Sequence, residues 1–497
     1  MSITFTKSAN GEATCSYNSI RLHSAYNPSR EAERFVQNVK CDFNPKYILL
    51  TGAALSYCAV YFRKYFPTAL LCAIQFSEDF KLADKLWNKT FYTSQNDVPL
   101  SEQIFSYMGE EGVVSCFFTA WQPSEKAFPQ EHELAWKQIK NAVIKSRNVL
   151  ATRSFFAKRW VKNTIKFCMF LNKTSILKKG SCPIVVCASG PSLRTSLPFI
   201  SKYRDRFFLI VVSSALAPLI DNGITPDLCI STDGGYWAKH HLSHALVNNP
   251  DISIALSPES ACFTQIMQSC NIMPLSYGDG ISETFLYNHH IPSMPAYRNG
   301  TVSGTAAQFA LSATDGNVFF CGLDLAPANG YVHTQPNELE LFNMHSDNRL
   351  HPLETRIYPS SRPSPSLNIY RSWFASSDFK DRLFRLSDNY SYKNTLGKIK
   401  DVNWDFFDSN TKNASSTKPE FYSANKENDT EERFAQIKKT VDSNINNKEW
   451  IREAVPADYI VYERCIGMDS EAAAAKKVQT DMQTFYKDIT RAFYKEG

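Results

Sequence analysis

Ile184-Val185-Val186-Cys187-Ala188-Ser189-Gly190-Pro191-Ser192-Leu193 is the stretch on which the fold turns. An unbroken apolar run ending in serine, glycine and proline reads as a short strand covered on both faces, then a tight turn and a helix. The same grammar repeats downstream. Phe208–Val212 ends in Ser213-Ser214, Leu228–Ser231 in Thr232-Asp233-Gly234-Gly235, and Val318–Cys321 in Gly322-Leu323-Asp324. Ile252–Leu256 and Ile272–Leu275 are further apolar runs, and Gly300-Thr301-Val302-Ser303-Gly304-Thr305 opens a helix. Between the strands, Ser196 reads as a helix cap ahead of Pro198, and Gly223 closes a helix after Asn222. This alternation predicts an α/β chain with a doubly wound, Rossmann-like central domain. Loops that follow the strands of such a sheet share one edge, where ligands bind. Glycines admit close backbone approach, a helix N-terminus faces an anion, and hydroxyls with a carboxylate meet a sugar. The pattern points to a nucleotide or nucleotide-sugar site.

At 497 residues the chain is long enough for two or three domains, and its 43% hydrophobic content supports sizeable cores. A net charge of +5 is small for this length, so it argues for neither nucleic acid nor a membrane surface while tolerating an anionic substrate. The 13 cysteines are scattered, several within apolar runs, without metal-finger spacing, and read as buried free thiols of a reducing compartment. Met1–Glu12 is polar and lacks a signal-peptide core, and the longest apolar run, Tyr47–Phe62, is too short to span a bilayer. The expectation is a cytoplasmic protein without membrane insertion.

Residues 1–130 read as a smaller α/β N-terminal domain: a polar leader over 1–44, then a βαβ unit. Its first strand covers Tyr47–Leu50, its turn is Thr51-Gly52-Ala53-Ala54-Leu55, and its second strand lies in Ala69–Phe76. With one glycine, that turn reads as helix packing in preference to a second nucleotide site. Residues 131–178 form a helical connector, with Trp136, Ile139, Val143 and Ile144 on one face. The central domain covers 179–400, with Pro359–Ser366 as loop or lid. Residues 401–430 read as a flexible linker. A helical C-terminal region over 431–497, with helices near 430–445 and 469–495, offers a surface for a protein partner.

Two ordered blocks carry a family resemblance. One runs through Ala188-Ser189-Gly190-Pro191-Ser192-Leu193, Ser214-Ala215-Leu216, Asn222-Gly223-Ile224-Thr225-Pro226-Asp227, Ser231-Thr232-Asp233, Gly300-Thr301-Val302, Gly322-Leu323-Asp324-Leu325-Ala326 and His333-Thr334. The other is Leu22-His23-Ser24-Ala25-Tyr26-Asn27-Pro28 with Glu31-Ala32-Glu33-Arg34. Together they resemble the motility-associated factor proteins of flagellated bacteria, whose central domain is 6-hydroxymethylpterin diphosphokinase-like and similar to bacterial sialyltransferases. The N-terminal turn has fewer glycines than these relatives, and Asn389–Gly397 follows a Gly-rich family stretch loosely. The resemblance implies an inverting glycosyltransferase that moves a nonulosonic acid, of pseudaminic or legionaminic type, from its CMP conjugate to Ser or Thr of flagellin. Flagellin is then the protein partner, flagellum assembly and motility depend on the activity, and the CMP-sugar is a donor substrate with no cofactor required. Two alternatives stay open. One is an ATP-dependent pterin diphosphokinase with Asp233 and Asp324 holding Mg²⁺; the other is a non-catalytic flagellin-binding factor.

The residues expected to hold the nucleotide are Gly190, Pro191, Ser192, Ser213, Ser214, Asp233, Ser303, Gly304 and Thr305. Gly190 competes with a plain tight turn, Ser192 is compatible with both capping and ligand contact, and Ser213 and Ser214 meet either nucleotide or backbone. Asp233 binds ribose or a metal, or supports its loop; Ser303, Gly304 and Thr305 present N–H groups and hydroxyls to an anion, or cap a helix. Sialyl-type transfer needs the acceptor hydroxyl deprotonated, and a histidine titrates in the right range, so His333 is the candidate base, against a surface histidine. Asp324 is its catalytic companion, or orients a neighbouring histidine. His240-His241 and His289-His290 read as surface pairs, and Tyr297 and Tyr331 as donors to the leaving phosphate. No metal-ligand cluster stands out.

Overall fold

A computed structural model of the chain describes residues 3–94, 98–243, 246, 249, 251–328, 330–360, 365–387, 392, 395–412, 416–424 and 430–491. The chain divides into two compact units, Met1–Ala157 with Ile451–Lys487, and Lys158–Trp450 with Asp488–Gly497.

In the first unit residues 3–44 are folded, correcting the reading of 1–44 as a leader. Strands β1 (Thr4–Lys7), β2 (Ala13–Tyr17) and β3 (Ile20–Arg21) form an antiparallel sheet, and the Asn27 side chain caps helix Pro28–Gln37. The βαβ unit follows as β4 (Tyr47–Thr51), helix Cys58–Tyr65 and β5 (Leu70–Gln75). β6 (Lys89–Tyr92) and β7 (Cys116–Ala120) complete a parallel sheet ordered β6-β5-β4-β7. Because side chains alternate along a strand, Tyr47 and Leu49 enter one core cluster while Ile48 and Leu50 enter the other.

The turn after β4 is packed by protein. Gly52, Ala54 and Ser56 have φ of +68°, +47° and +64°. They are held by Gln75 Nε2 donating to Ala54 O (3.0 Å), Trp87 Nε1 donating to Ser56 Oγ (2.9 Å) and Leu55 N donating to His23 Nε2 (3.1 Å). A Cβ on Gly52 would fall 2.6 Å from Ser124 Cβ and 2.8 Å from the Phe76 ring. The glycine serves close packing here.

The long helix Pro129–Phe170 is followed by β8 (Lys173–Lys178), so the segment read as a connector ends in a strand. In the second unit β9 (Ile184–Cys187), β10 (Phe208–Val212), β11 (Leu228–Ser231), β12 (Ser253–Leu256) and β13 (Asn271–Ser276) run parallel side by side. The chain then passes through β14 (Met294–Pro295) and returns as β15 (Val318–Cys321) on the other flank of β9, followed by β16 (Leu383–Leu386) and β17 (Lys400–Val402). The order is β17-β16-β15-β9-β10-β11-β12-β13-β8-β18, with β18 (Glu420–Ser423) antiparallel to β8. This is a doubly wound sheet whose strand order reverses between β9 and β15, and ligands of such sheets bind outside the strand ends at that reversal.

The 401–430 stretch is corrected from a flexible linker, apart from 413–415 and 425–429, which lie outside the described residues. Trp404 is buried and stacks on Phe199 and Tyr203, and Phe407 meets Phe319, so helix Trp404–Thr411 is anchored by its aromatic residues. Of the expected lid, residues 361–364 lie outside the described residues, and helices Leu353–Ser360 and Pro365–Ser376 flank them. Of Asn389–Gly397, residues 389–391 and 393–394 are likewise outside. The C-terminal region is helical over Thr430–Asn444, Lys448–Ala454, Pro456–Cys465 and Glu471–Thr490. All 13 cysteines are free thiols.

Candidate active site

At the reversal point the ends of β9 and β15 are clasped together. Gly190 N donates to Gly322 O at 2.8 Å, and Gly322 adopts φ +68°. A Cβ on Gly190 would lie 2.1 Å from Asp324 Oδ2 and 2.4 Å from Gly322 O. Only glycine lets the two strand ends come this close.

Helix Leu193–Lys202 begins immediately beyond, with Ser192 as its N-cap residue, four residues ahead of the expected cap at Ser196. The buried Asp324 carboxylate accepts from Ser192 N (3.2 Å to Oδ2) and from Ser192 Oγ (2.7 Å). A carboxylate thus takes up the positive helix end. Ser192 Oγ is also 3.2 Å from the Tyr392 hydroxyl, whose ring stacks under the Arg385 guanidinium. Arg385, fully buried, makes paired bonds of 2.7 and 2.9 Å to Asp401 on β17.

One strand over, hydroxyls and a histidine form a chain. Ser214 Oγ donates to Ser189 Oγ at 2.9 Å, and Ser189 Oγ lies 2.7 Å from His333 Nδ1. The segment carrying His333 is fastened on both sides. Thr334 N donates to Ser189 O (2.7 Å), Thr334 Oγ1 donates to Gly190 O, and Asn337 Nδ2 donates to Ser214 O (3.2 Å). Its partners, and burial that pushes its pKa below the ordinary value, separate His333 from a surface histidine. Ser213 is buried at the end of β10, and Pro191 is half-buried between Gly190 and Ser192.

The surface reading of the other histidines holds for exposed His290 and needs correction for the other three. His241 is buried, which pushes its pKa down to about 4, with neighbouring His333 and His240 adding to the shift. His240 packs among the rings of Trp237, Phe263 and Phe342, and half-buried His289 is lowered by burial beside Phe285.

Past β11, Asp233 is exposed and accepts from Gly235 N at 2.7 Å. Its loop is pinned from below. A Cβ on Gly234 would fall 2.5 Å from the Trp160 indole, and Asn163 Nδ2 donates to Glu259 O at 2.8 Å. Buried Glu259 takes two bonds from Arg298 (2.5 and 3.0 Å) and one from Ser282 Oγ (2.9 Å). Burial works to lower the Arg298 pKa, but Glu259 and Asp279 hold it well above its usual value. Arg298 also stacks on Tyr277, whose hydroxyl bonds Ser257 and Thr232. Tyr370 has its pKa raised by burial and by the charge of Asp233, and its ring lies 3.1 Å from a Cβ built on Gly300. Asp233 and the Gly300 turn are therefore neighbours.

Helix Val302–Ala313 is capped by Thr301, whose Oγ1 accepts from Gly304 N at 3.0 Å. That corrects the capping role read at Ser303, which is half-buried. Thr305 is buried with its hydroxyl donating to Tyr297 O (3.0 Å), and Gly304 is crowded by Asn299 and Trp373, so these two fix the helix end in place. Tyr297 is exposed, and Tyr331 lies two residues before His333.

One edge of one sheet thus carries Gly190, Ser192, Ser213, Ser214, Asp233, Asp324 and His333. β9 and β11 are two strand spacings apart, about 10 Å, the reach of a nucleotide. Sequence reading omitted Ser189, Tyr277, Glu259, Arg298, Tyr370 and Tyr392. Glu259 and Tyr277 follow buried strands at the same edge, which was the available signal. Among the described residues no group of three or more His, Cys, Asp or Glu side chains is placed to hold a metal ion, and no helix is long and apolar enough to cross a membrane.

Residues 158–330 match the family model described as 6-hydroxymethylpterin diphosphokinase MptE-like. An uncharacterized protein of Treponema pallidum (strain Nichols) is 30% identical over 276 residues, covering 55% of this chain and 60% of that relative. The chain therefore spans about three fifths of that relative's length. Among solved structures, a MAf glycosyltransferase from Magnetospirillum magneticum AMB-1 is similar with a TM-score of 0.47 and 12% identity, over 99% of this chain and 90% of that one.

Proposed function

We propose, from the MptE-like domain that residues 158–330 carry, that this chain is a glycosyltransferase acting on a CMP-activated nonulosonic acid, with hydroxyls of flagellin as acceptors. The observation that carries the reading is the Ser214–Ser189–His333 chain at the strand-order reversal, beside the tight turn at Gly190. With Nδ1 turned to Ser189, the Nε2 atom of a neutral His333 is the nitrogen available to a substrate. Burial keeps that ring neutral at pH 7, as a general base must be.

In the proposed step the acceptor hydroxyl oxygen bonds to the anomeric carbon while the bond from that carbon to the phosphate oxygen breaks. CMP leaves with the electron pair, the proton passes to His333 Nε2, and attack from the face opposite the leaving group inverts the centre. Gly190 and Pro191 shape the tight turn that flanks the phosphate, with the Gly190 N–H already committed to Gly322 O. Ser213 and Ser214 line the nucleotide's path, and Asp233, the exposed acid two strands away, accepts from ribose hydroxyls. Asp324 acts through Ser192, holding the helix end, and is a positioning residue in this scheme. Ser303, Gly304 and Thr305 set the start of the helix behind the site.

The family model's description raises a pterin diphosphokinase as a second reading. It would require Asp233 and Asp324 to share bound Mg²⁺. Their strands, β11 and β15, are three spacings apart, about 14 Å, against the roughly 3.5–4 Å between ions in two-metal sites. The geometry favours the transferase. Release of CMP from CMP-pseudaminic or CMP-legionaminic acid, measured with wild type and His333→Ala, tests it. Turnover lost in the variant supports the reading, and pyrophosphate transfer from ATP to a pterin instead would overturn it.

A further inference from the structure

A cavity of ≈ 690 Å³ lies against helix Leu193–Lys202 on one side and the segment carrying His333 on the other. Its size falls in the roughly 300–1,000 Å³ range of ligand pockets. We infer that this cavity seats the acceptor, as an extended peptide segment presenting its hydroxyl to His333; the inference rests on the transferase reading.

Wall chemistry favours a peptide over the donor. Leu197, Ile224, Leu341 and Met344 give apolar surface for side chains, while the amides of Asn222 and Gln335 can both donate to and accept from a peptide backbone. Arg194 and Glu340 contribute one charge of each sign. A nucleotide sugar bearing a phosphate and a carboxylate calls for net positive surroundings; a peptide of mixed composition does not.

Position agrees. Tyr331 and Gln335 of the wall bracket His333-Thr334, and Gln335 Nε2 donates to His333 O at 3.2 Å. On the other side of the same segment, Thr334 is bonded to Ser189 and Gly190 of the proposed nucleotide loop. One strap of chain thus separates the two substrates' places, with the candidate base on it.

Leu341 and Met344 are exposed at the cavity, 42% and 54%, so Leu341→Arg/Met344→Arg can fill it without disturbing the core. Two measurements on the full chain test the inference: anisotropy of a fluorescein-labelled flagellin peptide, and release of free sugar from the CMP conjugate without acceptor. The double variant is expected to weaken peptide binding about tenfold or more, the scale of losing interface anchors, with sugar release unchanged. Peptide affinity unchanged in the variant, no peptide binding by wild type, or a raised KM for the donor would each overturn the inference. If wild type turns over no CMP-sugar yet loses the peptide when the cavity is filled, the cavity assignment stands and the transferase reading falls.

Discussion

Gly190→Ala is the most demanding perturbation of the clasp at the sheet's reversal point. The added methyl would sit 2.1 Å from Asp324 Oδ2 and 2.4 Å from Gly322 O, far inside contact distance. Asp324 can move away only by giving up Ser192 N and Oγ, and bonds to a charged partner contribute about 1.5–3 kcal/mol each. Gly322 O belongs to backbone bonded to Gly190 itself, so it cannot retreat independently. With both bonds at the low end of that range and overpacking costing typically 1–3 kcal/mol, a total of about 4 kcal/mol is expected, and at roughly 2–4 °C per kcal/mol for large domains the melting midpoint should drop by about 8–16 °C. Calorimetry on wild type, Gly190→Ala, Asp324→Ala and the double variant reads this directly. Because both changes strike one contact, the double variant should lose less than the sum of the singles by about 1 kcal/mol or more. A midpoint for Gly190→Ala within about 2 °C of wild type, on that same scale, would refute the reasoning.

Other consequences concern acid, buried charge and chemistry. Burial holds His23 near pKa 3 and His241 near 4, so both are neutral when folded and take up protons near 6.5 once unfolded. The unfolded state then binds more protons, and stability falls as pH drops from about 6.5 toward 4, by about 1.4 kcal/mol per unit for each histidine. Urea midpoints at pH 7 and pH 5 should differ, and His241→Asn should shrink the difference; an unchanged difference contradicts the assignment. Arg385→Lys forfeits the paired bond to Asp401 and the stacking on Tyr392 at a fully buried site, and should cost about 3–5 kcal/mol by chemical denaturation. Stability within about 1 kcal/mol of wild type would argue that the ion pair is not built as described. Ser189→Ala removes the partner of His333 Nδ1 and should lower kcat while leaving the KM for the donor near its original value. A raised KM with unchanged kcat would instead make Ser189 a donor-binding group.

The strands that build the site were legible because each is an uninterrupted apolar run buried on both faces. Strand β16 was not, since Leu-Phe-Arg-Leu places a charged residue at its centre, and nothing local reveals that Asp401 neutralises it on the next strand. Edge strand β18 is largely exposed, and its Phe421-Tyr422 pair is too short an apolar run to mark a strand, which is why its neighbourhood read as linker. At the site, the motif glycines were visible, but their cause was partly internal. Gly190 is required by Asp324 and Gly322, and Gly234 by Trp160 and Glu259, contacts made across long stretches of sequence. Adjacent histidines gave no clue to which of His240 and His241 turns inward. Arg298 was hidden for the same reason as Arg385, because its value lies in Glu259 and Tyr277 on neighbouring strand ends.

The most direct measurement is the intact mass of unmodified flagellin after incubation with this protein and CMP-pseudaminic or CMP-legionaminic acid. Addition of one or more nonulosonic acid masses with wild type, cut roughly 10²- to 10⁴-fold in rate by His333→Ala, is the predicted result. Flagellin of unchanged mass with both donors, or transfer as fast in the His333→Ala variant as in wild type, would contradict the account.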